Sequence, residues 1–453
     1  MDASRVAHCL LNGDVSIFDG QSAGASTGWL THLETIESRL QDFDHAIRQR
    51  EPRHGRTILL GMGGSSAPAA MMTEILGGSE LQVLDTSNPD SVSSYSFDNA
   101  NVVASSKSGS TIELVTTLAW AFAHGLQIRD LTVITDPGTS LDELAKSMSS
   151  SIFYGDPRTG GRYSALSAFG LVPALISGCR PQEILATVDA SAVSASAMTE
   201  WIQSGFNAVH DPNGASFFSM SAPPVTHSTQ LWLEQLVAES TGKLGRGVVP
   251  IVDSSARIDE PQRATLVSDI FRWHVQVSAM ALALGVDPFN QPDVQLAKTN
   301  LFEELRTPFS WHGDTTIASS DLVRADRAEY VALQFFAPVE LENDIELLRQ
   351  RAACRFSHVT ASLGPRFLHS SGQLHKGGPS NMVAIQVSVR PKSEPARISG
   401  RGFSFHDLHF AQARADARAL RSAGRTVVEL SVESLDEVAH VLDLVPNGGG
   451  NSF

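Results

Sequence analysis

The chain has 453 residues, 42% of them hydrophobic, which is too long for a single core and rich enough in apolar side chains to fold as a globular protein. A formal net charge of −15 argues against a main role in holding nucleic acid or an anionic membrane surface, so any phosphate site has to be a local positive pocket on an acidic molecule. No apolar run reaches bilayer-spanning length, the start MDASRVAHCLLNGD lacks the basic region of a secretory signal, and Cys9, Cys179 and Cys354 form no CxxC; the expectation is a cytoplasmic protein with no disulfide framework or zinc site.

Residues 1–50 read as a peripheral helical segment, with apolar residues at helical spacing in IESRLQDFDHAIRQRE. Residues 57–60 form a compact apolar strand that runs into GMGGSS and then a helix, APAAMMTEIL. The glycines of GMGGSS are wrongly spaced for a dinucleotide fingerprint and no Lys makes it a Walker loop. They would let backbone approach a small polar ligand, but an ordinary tight turn reads equally well. Residues 81–85 are the next strand. Residues 101–104 are another, followed by the hydroxyl-rich turn SSKSGST and a helix opening at Ile112. A strand feeding such a turn at a helix N-terminus suits a phosphate monoester: orphan N–H groups, the helix dipole, the hydroxyls and Lys107 all favour an anion. Alone, the stretch barely exceeds an ordinary serine-rich cap. Residues 131–134 continue the alternation of short strands with helices, which implies an α/β fold with parallel sheets covered on both faces and a ligand crevice beyond the carboxyl ends of the strands.

In GGRYS, Arg162 between a Gly-Gly turn and a helix start can place a fixed cation at that crevice or be a plain surface Arg. A second half begins near residue 200. In QLWLEQLVAESTGKLGRG, Gln235 and Glu239 are four apart and share one helix face. Glu239 lies at the C-terminal end, an unfavourable place for an acid with respect to the helix dipole, although a solvated surface Glu is the commoner meaning. Residues 248–252 read as a strand, and 260–306 as two helices around a turn, the first stopping at Gly285 and the second opening at Pro292 with Gln291 and Lys298 near its start. Residues 302–321 read as a loop, 330–336 as a strand, and NDIELLRQRAAC as an amphipathic helix. His369, His375 and Lys376 fall in a Gly- and Ser-rich turn before a strand, at a spacing that does not suggest a metal site. Helix and strand close the chain, and the tail PNGGGNSF is expected to be disordered.

Taken together, GMGGSS, SSKSGST, GGRYS, EQLVAESTGK and FNQPDVQLAK resemble phosphoglucose isomerase, a family built from two sugar-isomerase (SIS) domains. GGRYSALSAFGLVPA, LWLEQLVAESTGK and GPRFLHSSGQLHKGGP look most like the isomerase half of bacterial transaldolase–phosphoglucose isomerase fusion proteins. The resemblance spans roughly residues 55 to 430 and is specific only jointly. It implies two α/β/α SIS domains, expected at 51–200 and 201–445, between the helical segment 1–50 and the tail 446–453. It implies a metal-independent, cofactor-free isomerase of glucose 6-phosphate and fructose 6-phosphate whose partner is the sugar phosphate, with no nucleic acid or membrane, as a monomer or homodimer.

Carried over position by position, the resemblance makes Glu239 the base that moves a proton between C1 and C2, and Arg162 the group that stabilises the enediolate oxygen. Ser106, Ser108, Ser110 and Thr111 match the phosphate turn, with Lys107 beside them. Gln235, Gln291, Gly63 and Ser65 match sugar contacts, and Lys298 the Lys near the ring oxygen. The ring-opening His falls between the Glu and the Lys in the ordinary family; here the match, LHSSGQLH, follows Lys298, so the second domain is permuted, with His369 the choice and His375 the fallback. Asn290 stands where the family has Asp, and Ser110 where the nearest branch often has Gly, which leaves room for another hexose phosphate. A non-catalytic SIS-type sugar-phosphate sensor is the rival of a different class.

Overall fold

The computed structural model describes all residues except 1, 19–25, 50–54, 190–193, 222–225, 254–260, 308, 314–323, 395 and 444–453. The alternating apolar strands form parallel sheets distributed over two compact units: Met1–Asp85, Ser96–Thr241 and Gly247–Gln291 make the first, and Thr86–Tyr95, Gly242–Arg246 and Pro292–Phe453 the second. This division departs from the expected boundary near residue 200, because most of residues 201–291 pack with the first sheet's unit.

In the first unit, β1 (Arg56–Leu60), β2 (Leu81–Leu84), β3 (Ala100–Ser105), β4 (Leu131–Thr135) and β5 (Ser151–Tyr154) lie in the order β2-β1-β3-β4-β5, every neighbouring pair parallel. β3 and β4 are buried along their whole length, as strands covered on both faces must be. Helix Ala67–Leu76 follows β1 and ends at Gly77 in the left-handed region (φ 75°), which a Gly adopts without steric cost. Helix Ile112–Ala123 follows β3. A parallel pair, β6 (Ala215–Ser221) and β7 (Gly247–Asp253), joins helices His227–Thr241 and Leu266–Leu284 in the same unit. Leu266–Leu284 is buried on nearly every face, its polar Arg272, His274, Gln276 and Ser278 included.

The described segments 2–18 and 26–49 are not peripheral. Trp29 and Leu40 are fully buried in the first unit's core, and the Trp29 ring stacks on Tyr163 with centroids 5.3 Å apart. A large indole gains more from burial than an edge position offers, and the helix Ile36–Arg48 turns Ile36 and Leu40 inward beside it.

In the second unit, β8 (Tyr330–Phe336), β9 (Val359–Leu363), β10 (Met382–Val389) and β11 (Thr426–Val432) run parallel in the order β11-β10-β8-β9. Helices Glu342–Ala353, Phe405–Ser422 and Leu435–Asp443 accompany them, the second opened by a Ser404–Asp407 capping box. β9 and the last helix were not read from the sequence. Residues 302–304 belong to helix Gln295–Glu304 rather than to a loop; part of that expected loop, and the tail 446–453, lie outside the described residues. The segment carrying the two histidines is a single turn, Arg366–His369, followed by a short helix, Gly372–Gly377, where only a Gly- and Ser-rich turn was expected. Its glycines would not hold a helix alone. Arg425 does so from outside, donating to the carbonyls of His375 (3.0 Å), Lys376 (2.8 Å) and Gly378 (2.6 Å).

Candidate active site

In the first unit, two turns that are remote in sequence, Gly63–Ser65 and Gly161–Tyr163, meet beside the helix His227–Thr241. Residues 61–66 leave β1 and form a tight turn with Gly63 at φ 52°. A Cβ on Gly64 would lie 2.3 Å from the Gly161 carbonyl oxygen, and one on Gly61 would lie 3.1 Å from that of Ser105. Only glycine lets these backbones approach so closely. The close approach seats the turn carrying Arg162 against the turn carrying Gly63 and the half-buried Ser65.

Arg162 and Glu239 form the centre. They are 5% and 6% exposed, and Arg162 Nη2 lies 3.0 Å from Glu239 Oε1. Gln235, one helical turn before Glu239, donates from Nε2 to the other carboxylate oxygen at 3.0 Å. Both oxygens of Glu239 are thus oriented. The guanidinium also donates through Nη1 to the carbonyls of Glu239 (3.0 Å) and Pro288 (2.6 Å), and Nη2 lies 3.3 Å from the Asn290 carbonyl and 3.5 Å from Gln291 Oε1. One Arg therefore ties the carboxyl end of the Glu239 helix to the segment 288–291, a use of the planar fork that Lys cannot reproduce. Asn290 Oδ1 is buried with no hydrogen-bond partner among the described residues.

The turn 106–111 leaves β3 as expected. Ser106 N donates to the Ile134 carbonyl (2.9 Å), carrying the parallel pairing one residue past the strand. Ser106 Oγ and Thr111 Oγ1 are 2.9 Å apart, and Gly109 N donates to Ser106 Oγ (3.1 Å). Ser108 and Ser110 are exposed, with their hydroxyls 3.3 Å apart. No side chain caps the helix that follows, so its first N–H groups have no capping acceptor from Thr111. The Lys107 ammonium lies 2.5 Å from Asp136 Oδ2 and donates to the Asp156 carbonyl (3.0 Å).

The remaining sequence candidates belong to the second unit. Lys298 is exposed on helix Gln295–Glu304, and His369 is half-buried at the end of its short turn. His375 is 1% exposed; burial, with Lys376 and Arg425 nearby, pushes its imidazole down to about 3, so the ring stays neutral. Its Nδ1 is 2.9 Å from Gln334 Nε2, so Nδ1 accepts and the proton resides on Nε2. Beside it, the Lys376 ammonium forms a buried ion pair with Asp416. Among the described residues, no cluster of His, Cys, Asp or Glu has metal-binding geometry, and no helix is long and apolar enough to cross a membrane.

Several residues at these sites escaped the sequence reading. The Pro288 and Asn290 carbonyls are backbone groups that no pattern reveals. Gln334, Asp416 and Arg425 are brought to the His375 segment by tertiary packing. Asp136 did carry a signal, since a carboxylate directly after a parallel strand stands at the crevice end of the sheet.

No family model matches the chain. Among curated proteins, a glucose-6-phosphate isomerase of Campylobacter jejuni is 25% identical over 265 residues, covering 54% of this chain and 65% of that protein. Probable glucose-6-phosphate isomerases of Haloquadratum walsbyi and Natronomonas pharaonis are 30% and 32% identical over 219 and 215 residues, covering 43% of this chain in each case and 49% and 48% of those proteins. The chain thus spans about half to two thirds of the length of these relatives. Among solved structures, a glucose-6-phosphate isomerase from Chlamydia trachomatis is 13% identical with a TM-score of 0.32, covering 98% of this chain and 77% of that one. At that score the structural likeness carries no argument about activity.

Proposed function

From its kinship with the glucose-6-phosphate isomerases of the SIS type, we propose that the chain is a sugar-phosphate aldose–ketose isomerase that interconverts glucose 6-phosphate and fructose 6-phosphate. The observation that carries the reading is the buried Glu239 carboxylate, held on one oxygen by Arg162 and on the other by Gln235. Such a carboxylate is oriented for a defined proton transfer and paired with a fixed guanidinium. In the proposed step Glu239 takes the proton from C2 of the open-chain aldose. The C–H electron pair becomes the C1–C2 double bond, and the C1 carbonyl becomes an enediolate oxygen. The O2 proton then passes to O1, and as the O2 electron pair closes the C2 carbonyl the C1–C2 double-bond pair takes the proton back from Glu239 at C1, giving the ketose. Arg162 supplies a fixed positive charge for the developing oxyanion.

The hydroxyls and N–H groups of residues 106–111 take the phosphate, with Lys107 beside them, and Gly63, Ser65, Gln235 and Gln291 meet the sugar. Ring opening falls to His369 with Lys298. A histidine that shuttles a proton has to change charge, which favours His369 over the buried, neutral His375. The test is a dehydrogenase-coupled assay of both hexose phosphates with wild type and Glu239→Gln. Turnover by the wild type, lost in the variant with sugar-phosphate binding kept, supports the reading; an active Glu239→Gln overturns the base assignment, and binding without wild-type turnover points to a sensor.

A second reading keeps this mechanism for another hexose phosphate, such as mannose 6-phosphate or an amino-sugar phosphate. It is favoured by the unpartnered Asn290 Oδ1 where the family has Asp, and the same assay run on those sugars decides it.

A further inference from the structure

Lys107 sits inside the phosphate turn, yet its ammonium is committed elsewhere. Oδ2 of Asp136 lies 2.5 Å away and the Asp156 carbonyl 3.0 Å away, and the two side chains of the ion pair are only 22% and 15% exposed. Asp136 follows β4 directly, and Asp156 lies two residues past β5. The Lys107 side chain therefore ties together the carboxyl ends of β3, β4 and β5, three consecutive strands of one sheet.

The same face of the turn is braced twice more by the segment after β4. Ser140 Oγ donates to the Gly109 carbonyl at 2.8 Å. Gly109, at φ 65°, packs so tightly on Thr139 that a Cβ would lie 2.6 Å from the Thr139 Cβ. Burial pushes the Asp136 carboxyl up while Lys107 pulls it down, so the carboxylate needs its cation, and its Oδ1 is buried with no partner among the described residues. An ammonium held this way is a poor direct ligand for an incoming phosphate, which would have to displace a partly buried carboxylate.

We infer that Asp136 is a positioning residue for phosphate binding, acting through Lys107, which serves as a strut that shapes the turn 106–111 rather than as a phosphate ligand. The anion is then gripped by neutral donors, the hydroxyls of Ser106, Ser108, Ser110 and Thr111 and the backbone N–H groups. The inference rests on the sugar-phosphate reading for the identity of the ligand, but its logic concerns only the phosphate group.

The experiment is a double-mutant cycle on the full chain with Asp136→Ala, Lys107→Met and the pair, reading calorimetric affinity for glucose 6-phosphate and for inorganic phosphate, and KM and kcat wherever turnover is found. The expected result is that each single variant weakens phosphate binding about tenfold, and that the double variant is no worse than either single one. The loss is expected in KM, with kcat of Asp136→Ala within about threefold of wild type. Asp136→Asn, which keeps an acceptor for the ammonium, is expected to restore affinity to within about threefold and guards against a variant that merely misfolds. The inference is overturned if Lys107→Met alone is much weaker than Asp136→Ala, since Lys107 would then be a direct ligand. Tighter binding in Asp136→Ala also overturns it, because Asp136 would then compete with the phosphate, and so do additive losses. Wild-type protein that binds inorganic phosphate but neither binds nor turns over glucose 6-phosphate counts against the proposed function alone, since the cycle is still read with inorganic phosphate.

Discussion

At the scale of single residues, the carboxylate–guanidinium pair dominates. Glu239→Gln removes the proton carrier of the proposed function but preserves shape, so kcat is expected to fall by about a thousandfold while calorimetric affinity for the sugar phosphate stays within about threefold. Arg162→Lys tests the second half of the pair. Arg162 serves Glu239 and the carbonyls of residues 239, 288 and 290 at once, and a single ammonium cannot satisfy them all. The substitution is expected to lower stability by about 3 kcal/mol in a denaturant titration and to abolish activity, because the Glu239 carboxylate is left buried and poorly paired. Glu239, Gln235 and Arg162 were all legible in the sequence as motif positions. That Arg162 is also the clamp on segment 288–291 was not, because its acceptors are carbonyl groups common to every residue type.

At the scale of elements, the site depends on turns that meet backbone to backbone. Gly64→Ala would place a Cβ 2.3 Å from the Gly161 carbonyl oxygen, whereas a Cβ on Gly160 meets nothing within 4 Å. The expectation is a loss of about 2 kcal/mol and a marked loss of activity for Gly64→Ala, against a change within about 0.5 kcal/mol for Gly160→Ala, both read from thermal melts and coupled assays. Strands with largely apolar runs, such as β1, β3 and β8, were legible because a strand buried on both faces is mostly apolar. β9 was not: VTASL carries small and polar residues, and three of its five positions are only half-buried. The short helix Gly372–Gly377 was equally hidden, since its stability comes from Arg425, some fifty residues later in the chain.

At the scale of the whole molecule, stability should depend on mild acid. His274 in the first unit, and His375 and His409 in the second, are each pushed by burial to about 3. Each stays neutral in the folded chain, whereas its unfolded counterpart takes up a proton below its ordinary value of 6.5. Between those values the unfolded state binds more protons, so stability falls as pH drops through that window. Each group adds a slope approaching about 1.4 kcal/mol per pH unit there. The melting temperature is expected to be nearly flat from pH 8 to 7 and to fall progressively from pH 6.5 to 5; a flat profile across the whole range contradicts the buried neutral rings.

By itself the sequence determined the class of fold, and it located the turns to which the proposed function assigns the phosphate. Alternating apolar strands and helices can be satisfied only by covered parallel sheets, and hydroxyl-rich and Gly-rich turns after such strands are suited to a phosphate. Local patterns of that sort are written residue by residue. Only the tertiary structure decided that residues such as Val6, Trp29 and Leu40 belong to a core, that most of residues 201–291 pack with the first sheet, and that Arg162 and Gln235 take one oxygen each of Glu239. It also turned Lys107 toward Asp136. These arrangements depend on which distant groups packing brings within hydrogen-bonding distance, and a buried carboxylate or ammonium takes the best partner it can reach whatever its distance along the chain.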